Sequence, residues 1–379
     1  MLVSFQFCRL GGADWLCGQP RLNRIKTGRV YFSVIDREIR VMKAIVLSAV
    51  GGTDQLVHQD FSDPAPGPGQ VRVELEAAAL NHRDVWIRRG LYAGITLPVI
   101  LGSDGVGTVD QVGEGVDVSL IGQRFWINPS LAWGDRKDVP DYKTWRILGL
   151  PDQGTYAEKI VVDSAQLEPC PSDWKAEDAA ALPLAGLTAY RALFTRGQFE
   201  AGQSVFITGI GGGVSQMALQ MAVAAGGKVY VSSSSDTKLE NARRAGALGG
   251  VNYRQADWVK TAREMIGGEG PDIAIDSAGG KTIDDLIDLV RPGGSVVNYG
   301  QTTGTCPNLE VRRLFWKQVN LLGTTMGNRS EFRAMLKFYI ERGLRPQVDR
   351  VFDLSEAGSA HDLMESGEQA GKIVLKIKG

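Results

Sequence analysis

The sequence predicts an α/β protein in two parts, a mainly β portion followed by a doubly wound parallel sheet. Three observations carry this reading. Residues 42–168 hold a series of short strand candidates separated by Gly/Pro turns. From residue 176 onward helix candidates alternate with short apolar runs, as βαβ units require. A glycine cluster falls between the first of these later strands and the helix that follows it.

In the first part the strand candidates are 43–47, 71–77, 105–112, 124–127 and 156–162. The run Pro64-Ala65-Pro66-Gly67-Pro68-Gly69 marks a turn, and the alternation of Val71, Val73 and Leu75 marks a half-buried strand. The stretch 128–153 carries Trp133, Trp145 and many charges, and reads as a long loop over a cleft. In the second part Ser204–Thr208 is a strand and 214–225 a helix. Val229–Ser232 follows as a strand, 236–245 as a helix, and Asp272–Ile275 and Ser295–Tyr299 as further strands. An amphipathic helix over 331–342 and a strand over 373–377 complete the pattern.

Residues 1–41 differ from the rest. They hold seven basic residues against three acidic ones and show no helical or strand period. They are expected to form a poorly ordered extension, with the functional chain starting near Met42. They contain neither an Arg-rich amphipathic helix nor a signal-peptide apolar core.

Composition narrows the function classes. A chain of 379 residues with 43% hydrophobic and 22% charged residues can form two sizeable cores. A net charge of -1 gives no general attraction to nucleic acid or anionic membrane. The chain has no run of 18 apolar residues, so no membrane span is expected and the cytoplasm is the expected location. Cys8, Cys17, Cys170 and Cys306 form no CxxC pair, which favours free thiols over disulfides or structural zinc.

The segment Val205-Phe206-Ile207-Thr208-Gly209-Ile210-Gly211-Gly212-Gly213-Val214-Ser215 places strand, glycine turn and helix start in order. Unpaired N–H groups and the partial positive charge of a helix start suit a pyrophosphate, and residues without side chains let it approach. The plainer alternative is a βα turn that needs positive φ. The second strand ends in Ser232-Ser233-Ser234-Ser235, with Lys238 beyond. NAD enzymes place a carboxylate here to hold the ribose 2′-hydroxyl. Hydroxyls and a cation instead fit the 2′-phosphate of NADPH, and the alternative is a serine run capping a helix. Asp236 is assigned to the start of that helix.

Several segments together resemble the medium-chain dehydrogenase/reductase superfamily, and its quinone oxidoreductase branch most closely. They are Ala79-Leu80-Asn81-His82-Arg83-Asp84, Gly102-Ser103-Asp104-Gly105, Pro183-Leu184-Ala185-Gly186-Leu187-Thr188-Ala189-Tyr190 and Gly371-Lys372-Ile373-Val374. The resemblance runs from Met42 to Gly379 and implies a GroES-like β-barrel domain over 42–168, completed by 330–379. It implies a Rossmann NADP-binding domain over 169–329. The zinc alcohol dehydrogenases of this superfamily hold a catalytic metal with Cys, His and Cys. Their places fall on Asn81, Ser103 and Leu184, which cannot make a zinc site. No cysteines occur between 128 and 153 for a structural zinc. His58, His82 and His361 are expected to be surface or core residues.

Without a Lewis acid, oxidation of an alcohol is disfavoured, whereas a quinone or enone is already electrophilic. The resemblance therefore implies NADPH-dependent reduction of a conjugated carbonyl without metal. It places Asn81 and Thr188 near the nicotinamide, with Asp84 and Asp104 either site residues or structural hydrogen bonders. It gives the cofactor Gly209, Gly211, Gly212, Gly213, Val214, Ser233, Ser234, Ser235, Lys238, Tyr253, Ser277 and Gly300. The expected partners are a small quinone or enone and further copies of the chain, as a homodimer or homotetramer. No nucleic acid and no membrane are expected. The rival readings are an alcohol dehydrogenase-like enzyme and a crystallin-like or RNA-binding role.

Overall fold

The computed structural model describes residues 40–378. The expected N-terminal extension lies almost wholly outside them, as do Cys8 and Cys17. At its edge the first strand begins at Val41, slightly earlier than expected, because Val41 pairs with Ser62 across the hairpin.

Two sheets organise the first part. Val41–Leu47 lies between Leu56–Ser62 and Val99–Ile100 in a three-stranded antiparallel sheet. The larger sheet runs in the order Leu167–Pro169, Arg124–Ile127, Asp104–Val112, Gln70–Ala79, Lys372–Lys376 and Val348–Asp353, with Lys159–Asp163 also on Gln70–Ala79. The inward row Val71, Val73 and Leu75 is fully buried, as its alternation predicted. Strand Lys372–Lys376 pairs antiparallel with Gln70–Ala79, so the C-terminal segment closes the first part.

The second part is a six-stranded, all-parallel sheet. Its order is Gly249–Asn252, Lys228–Ser233, Ser204–Ile207, Ile273–Asp276, Ser295–Asn298 and Asn320–Gly323. Strand order reverses between Ser204–Ile207 and Ile273–Asp276, which opens the crevice where doubly wound sheets bind ligands. Asp276 locks this point from below. Its fully buried carboxylate accepts from Thr208 Oγ1 at 2.6 Å, the Gly279 amide at 2.8 Å and Asn298 Nδ2 at 3.0 Å. The outer edge of Asn320–Gly323 has no strand partner among the described residues, and Phe315 and Trp316 beside it are exposed.

Trp126 joins the two parts. Its fully buried ring packs edge-on to Trp174, and its Nε1 donates to the Ala179 carbonyl at 3.0 Å. Among the described residues, no helix is long and apolar enough to cross a membrane.

The stretch 128–153 departs from expectation. Only Ile147 of it lines the central cleft. Trp133 is buried instead, packed on Trp145 and beneath the Arg191 guanidinium. Arg191 also donates to the carbonyls of Lys137 and Asp138 and pairs with Glu331. Apolar burial and a buried guanidinium thus hold this stretch against the helix side rather than over the opening.

Beneath helix His82–Arg88, His361 is fully buried beside Tyr156 and accepts from Arg88 Nε at 3.4 Å through Nδ1. Burial, reinforced by the charge of Arg88, pushes its imidazole down to about 3 from its ordinary 6.5. The unfolded chain therefore takes up a proton through 6.5 while the native state resists to about 3. Stability from this site is full above 6.5 and falls steadily below it. Between pH 7 and pH 5 the loss due to His361 should be about 2 kcal/mol. Urea unfolding at both pH values should show a smaller drop for His361→Gln. An equal drop would place the titration elsewhere.

Candidate functional site

A cleft of about 420 Å³ runs between the two parts, within the size range of small-molecule sites. It starts at the glycine turn. Gly209 has φ +61°, and helix Gly213–Ala224 begins four residues later. A Cβ on Gly211 would stand 2.8 Å from Lys238 Nζ, and one on Gly213 would stand 2.6 Å from Lys372 Cδ. A side chain at either place would have to displace the lysine that packs there. The Gly213 and Val214 amides have no acceptor among the described residues. Ser215, at the place of a third glycine, folds its hydroxyl back onto the Gly209 and Gly212 carbonyls, both at 2.8 Å. The turn is thus braced from below and bare above, which fits a pyrophosphate.

Ser233, Ser234, Lys238 and Tyr253 line the adjoining end of the cleft, and Ser277 and Gly300 line it at the strand reversal. Ser235 does not line it. It is the N-cap of helix Asp236–Arg244, and its hydroxyl accepts from the Lys238 amide. Asp236 opens that helix and is exposed, so no carboxylate faces the serines from it. Lys238 donates from Nζ to the Gly367 carbonyl at 2.7 Å, and partial burial lowers its pKa. The segment from Gly367 to Gly371 crosses the glycine turn, with the Gly371 amide donating to the Gly211 carbonyl at 3.1 Å. Gln369 on this crossing is buried, lines the cleft, and has no partner for Oε1 among the described residues.

At the other end Asn81 and Thr188 come together with Leu184, His82, Trp86, Tyr92 and Met326. His82 is a surface residue, as expected, at the wall of the cleft, packed edge-on against Trp86. Thr188 spends its hydroxyl proton on the Leu184 carbonyl at 2.8 Å, one helical turn back, so its lone pairs remain. Asp84 does not reach the cleft. It is fully buried, and its Oδ2 accepts from the Asn81 amide at 2.9 Å and from Tyr156 OH at 2.8 Å. Burial pushes its pKa up against the charge of Arg83 and these hydrogen bonds. Asp84 thus caps the helix that carries the site residues and does not act in the cleft.

Sequence reasoning missed the group that organises this end. Lys372 is almost wholly buried and donates to three acceptors: the Leu80 carbonyl at 2.7 Å, Asn81 Oδ1 at 2.9 Å and Asp104 Oδ2 at 2.9 Å. Asp104 also accepts from Asn81 Nδ2 at 2.9 Å and from the Leu184 amide at 2.7 Å. An ammonium must face the amide oxygen and a carboxylate must face the amide nitrogen, so the orientation of Asn81 is fixed. Its second N–H has no acceptor among the described residues and is available to the cleft. Ser103 donates to the Leu148 carbonyl at 2.7 Å and accepts from Arg83 at 2.9 Å. The three positions that match metal ligands are thus engaged by other groups. Asn81, Ser103 and Leu184 do not fit zinc, and no step is derived through one.

Comparison with known proteins agrees with this architecture. Residues 67–172 match the family model for the alcohol dehydrogenase GroES-like domain, and 213–341 match that for zinc-binding dehydrogenase. A zinc-type alcohol dehydrogenase-like protein of Leptosphaeria maculans is 38% identical, over 83% of this chain and 93% of its own. The chain belongs to the medium-chain dehydrogenase/reductase superfamily. It is an NAD(P)-dependent oxidoreductase with a GroES-like domain and a Rossmann-type parallel sheet. A quinone oxidoreductase of Pseudomonas aeruginosa is 29% identical, covering 88% of this chain and 99% of that protein. The crystal structure of an NAD-dependent alcohol dehydrogenase superposes with TM-score 0.84 at 37% identity, covering 89% of this chain and all of that one.

Lys372→Met leaves Asp104 buried without its counter-charge, which should cost about 3–5 kcal/mol. Adding Asp104→Asn removes the second charge, and the double variant should lose less than the sum of the two single variants. Urea unfolding of the four proteins measures this. Strict additivity would show that the pair is not coupled.

Proposed function

We propose that the enzyme reduces a quinone, enone or similar conjugated carbonyl with NADPH and without metal. The observation that carries this is the Lys372–Asp104 pair at the place of the catalytic metal, holding one Asn81 N–H toward the cleft. A bound nicotinamide supplies a hydride. With an enone the hydride would add to the β-carbon and a proton to the α-carbon, so that the C=C bond becomes single; with a quinone, hydride and proton together would give the hydroquinone. The protein's part is to hold the acceptor and to favour the charge that builds on its carbonyl oxygen. Asn81 donates to that oxygen, while Thr188, whose proton is held by the Leu184 carbonyl, shapes the wall beside it. Among the described residues no carboxylic acid lines the cleft, and water supplies the proton.

An NADPH-oxidation screen over quinones, enones and aldehydes, run with and without a strong chelator, tests this reading. Conjugated acceptors should turn over at the same rate in both. Loss of turnover with loss of one bound zinc, or turnover of simple alcohols alone, would overturn it.

The preference for NADPH rests on the serines that end strand Lys228–Ser233, on Lys238 and on Tyr253, all on the cleft wall. These groups would hold the 2′-phosphate. A charge-assisted bond from Lys238 contributes about 1.5–3 kcal/mol. Lys238→Ala should therefore weaken NADPH by roughly 10- to 150-fold and NADH little. Titration of both cofactors into both proteins measures this. Equal weakening of the two would remove Lys238 from the phosphate site.

A further inference from the structure

Three arginines are buried among the described residues: Arg83, Arg88 and Arg191. Two have a carboxylate. Arg88 pairs with Glu365, and Arg191 pairs with Glu331 at 2.7 Å. Arg83 has none within ion-pair distance among the described residues, although it is only 9% exposed and lines the cleft. Its Nη1 donates to Ser103 Oγ and to the Leu148 carbonyl, both at 2.9 Å. Its Nε has no partner, and Nη2 makes no hydrogen bond. The guanidinium lies 5.2 Å over the Tyr92 ring, which sets its plane. Its neighbour in sequence, Asp84, feels its charge but makes no ion pair or hydrogen bond with it. The Oδ2 of Asp84 is taken by Asn81 and Tyr156, and its Oδ1 meets no donor.

A buried charge without a counter-charge is costly, and folds hold one where a ligand completes it. Nε is shut away from solvent, so the group left over for a ligand is Nη2, which can donate a charge-assisted hydrogen bond to a carboxylate oxygen. Arg83 is two residues from Asn81, and the wall around them is Trp86, Tyr92, Ile147 and Met326. The pocket is therefore apolar along its body and cationic at one corner. We propose that the substrate is a conjugated carbonyl compound that carries a carboxylate, and that Arg83 recognises this carboxylate. The substrate class rests on the reductase reading; the anion site does not.

The probes are 4-oxopent-2-enoate and its methyl ester, which share one enone and differ in charge. In the wild-type enzyme with NADPH the acid should exceed the ester in kcat/KM by about tenfold or more, chiefly through KM. High salt should narrow this gap. Arg83→Gln should bring the ratio near one, and Arg83→Lys should restore part of it. Equal kcat/KM for acid and ester in the wild type would overturn the proposal, whatever the variants do. Calorimetry with 4-oxopentanoate and its methyl ester, which have no C=C bond to reduce, separates the two readings. If neither enone is reduced, the reductase reading fails. Tighter binding of the acid that is lost in Arg83→Gln would then still support the anion site, and equal binding would overturn it.

Discussion

The ammonium of Lys372 is the group on which the rest of the site depends. Its three acceptors come from the end of strand Gln70–Ala79, from Asn81 and from the start of strand Asp104–Val112. Through Asp104 it also reaches the amide of Leu184, on the helix that leads into the parallel sheet. One buried cation thus ties the barrel, its C-terminal strand and the second part of the chain to a single point. That point lies where relatives of the zinc type hold a metal. A fixed positive charge remains there, but it cannot coordinate an incoming oxygen, because all three of its hydrogens are occupied. In the proposed reaction the polarising role would fall to the amide that it orients.

This arrangement explains why the fold was legible in the sequence and the site only partly so. Strand alternation at Val71, Val73 and Leu75 and the βαβ rhythm after residue 204 are local signals, and the structure follows them closely. Strands Gly249–Asn252, Asn320–Gly323 and Val348–Asp353 carried no such signal. The first has two glycines, and the other two keep most residues exposed or half-exposed, so neither shows a clear apolar row.

The glycine turn and the serine-ended strand were readable because phosphate binding uses contiguous residues. Lys372 was not, because its partners lie far away in sequence and a lysine beside Gly371 looks like an ordinary strand residue. Asp84 stood in the right motif, but only burial shows that it caps a helix rather than faces the cleft. Arg83 had no role in the sequence reading beyond its place in the motif. Its lack of a carboxylate partner emerges only when the surroundings of each buried arginine are compared. The tryptophans of 128–153 suggested a cover for the opening, but Trp133 packs inward beneath Arg191, which also holds the carbonyls of Lys137 and Asp138.

The position of strand Lys372–Lys376 has a consequence for how the molecule is made. Lys372 and Leu80, which it bonds, are 292 residues apart. The parallel sheet is built from neighbouring βαβ units and can assemble while the chain is still being synthesised. The barrel cannot, since a central strand of its sheet is translated last. Contacts of such long sequence separation form slowly. A nascent chain therefore carries most of the parallel sheet before it carries a finished pocket. Until the last segment docks, Asp104 has no counter-ion, Asn81 no fixed orientation and the glycine turn no crossing chain, so both ends of the cleft are completed together.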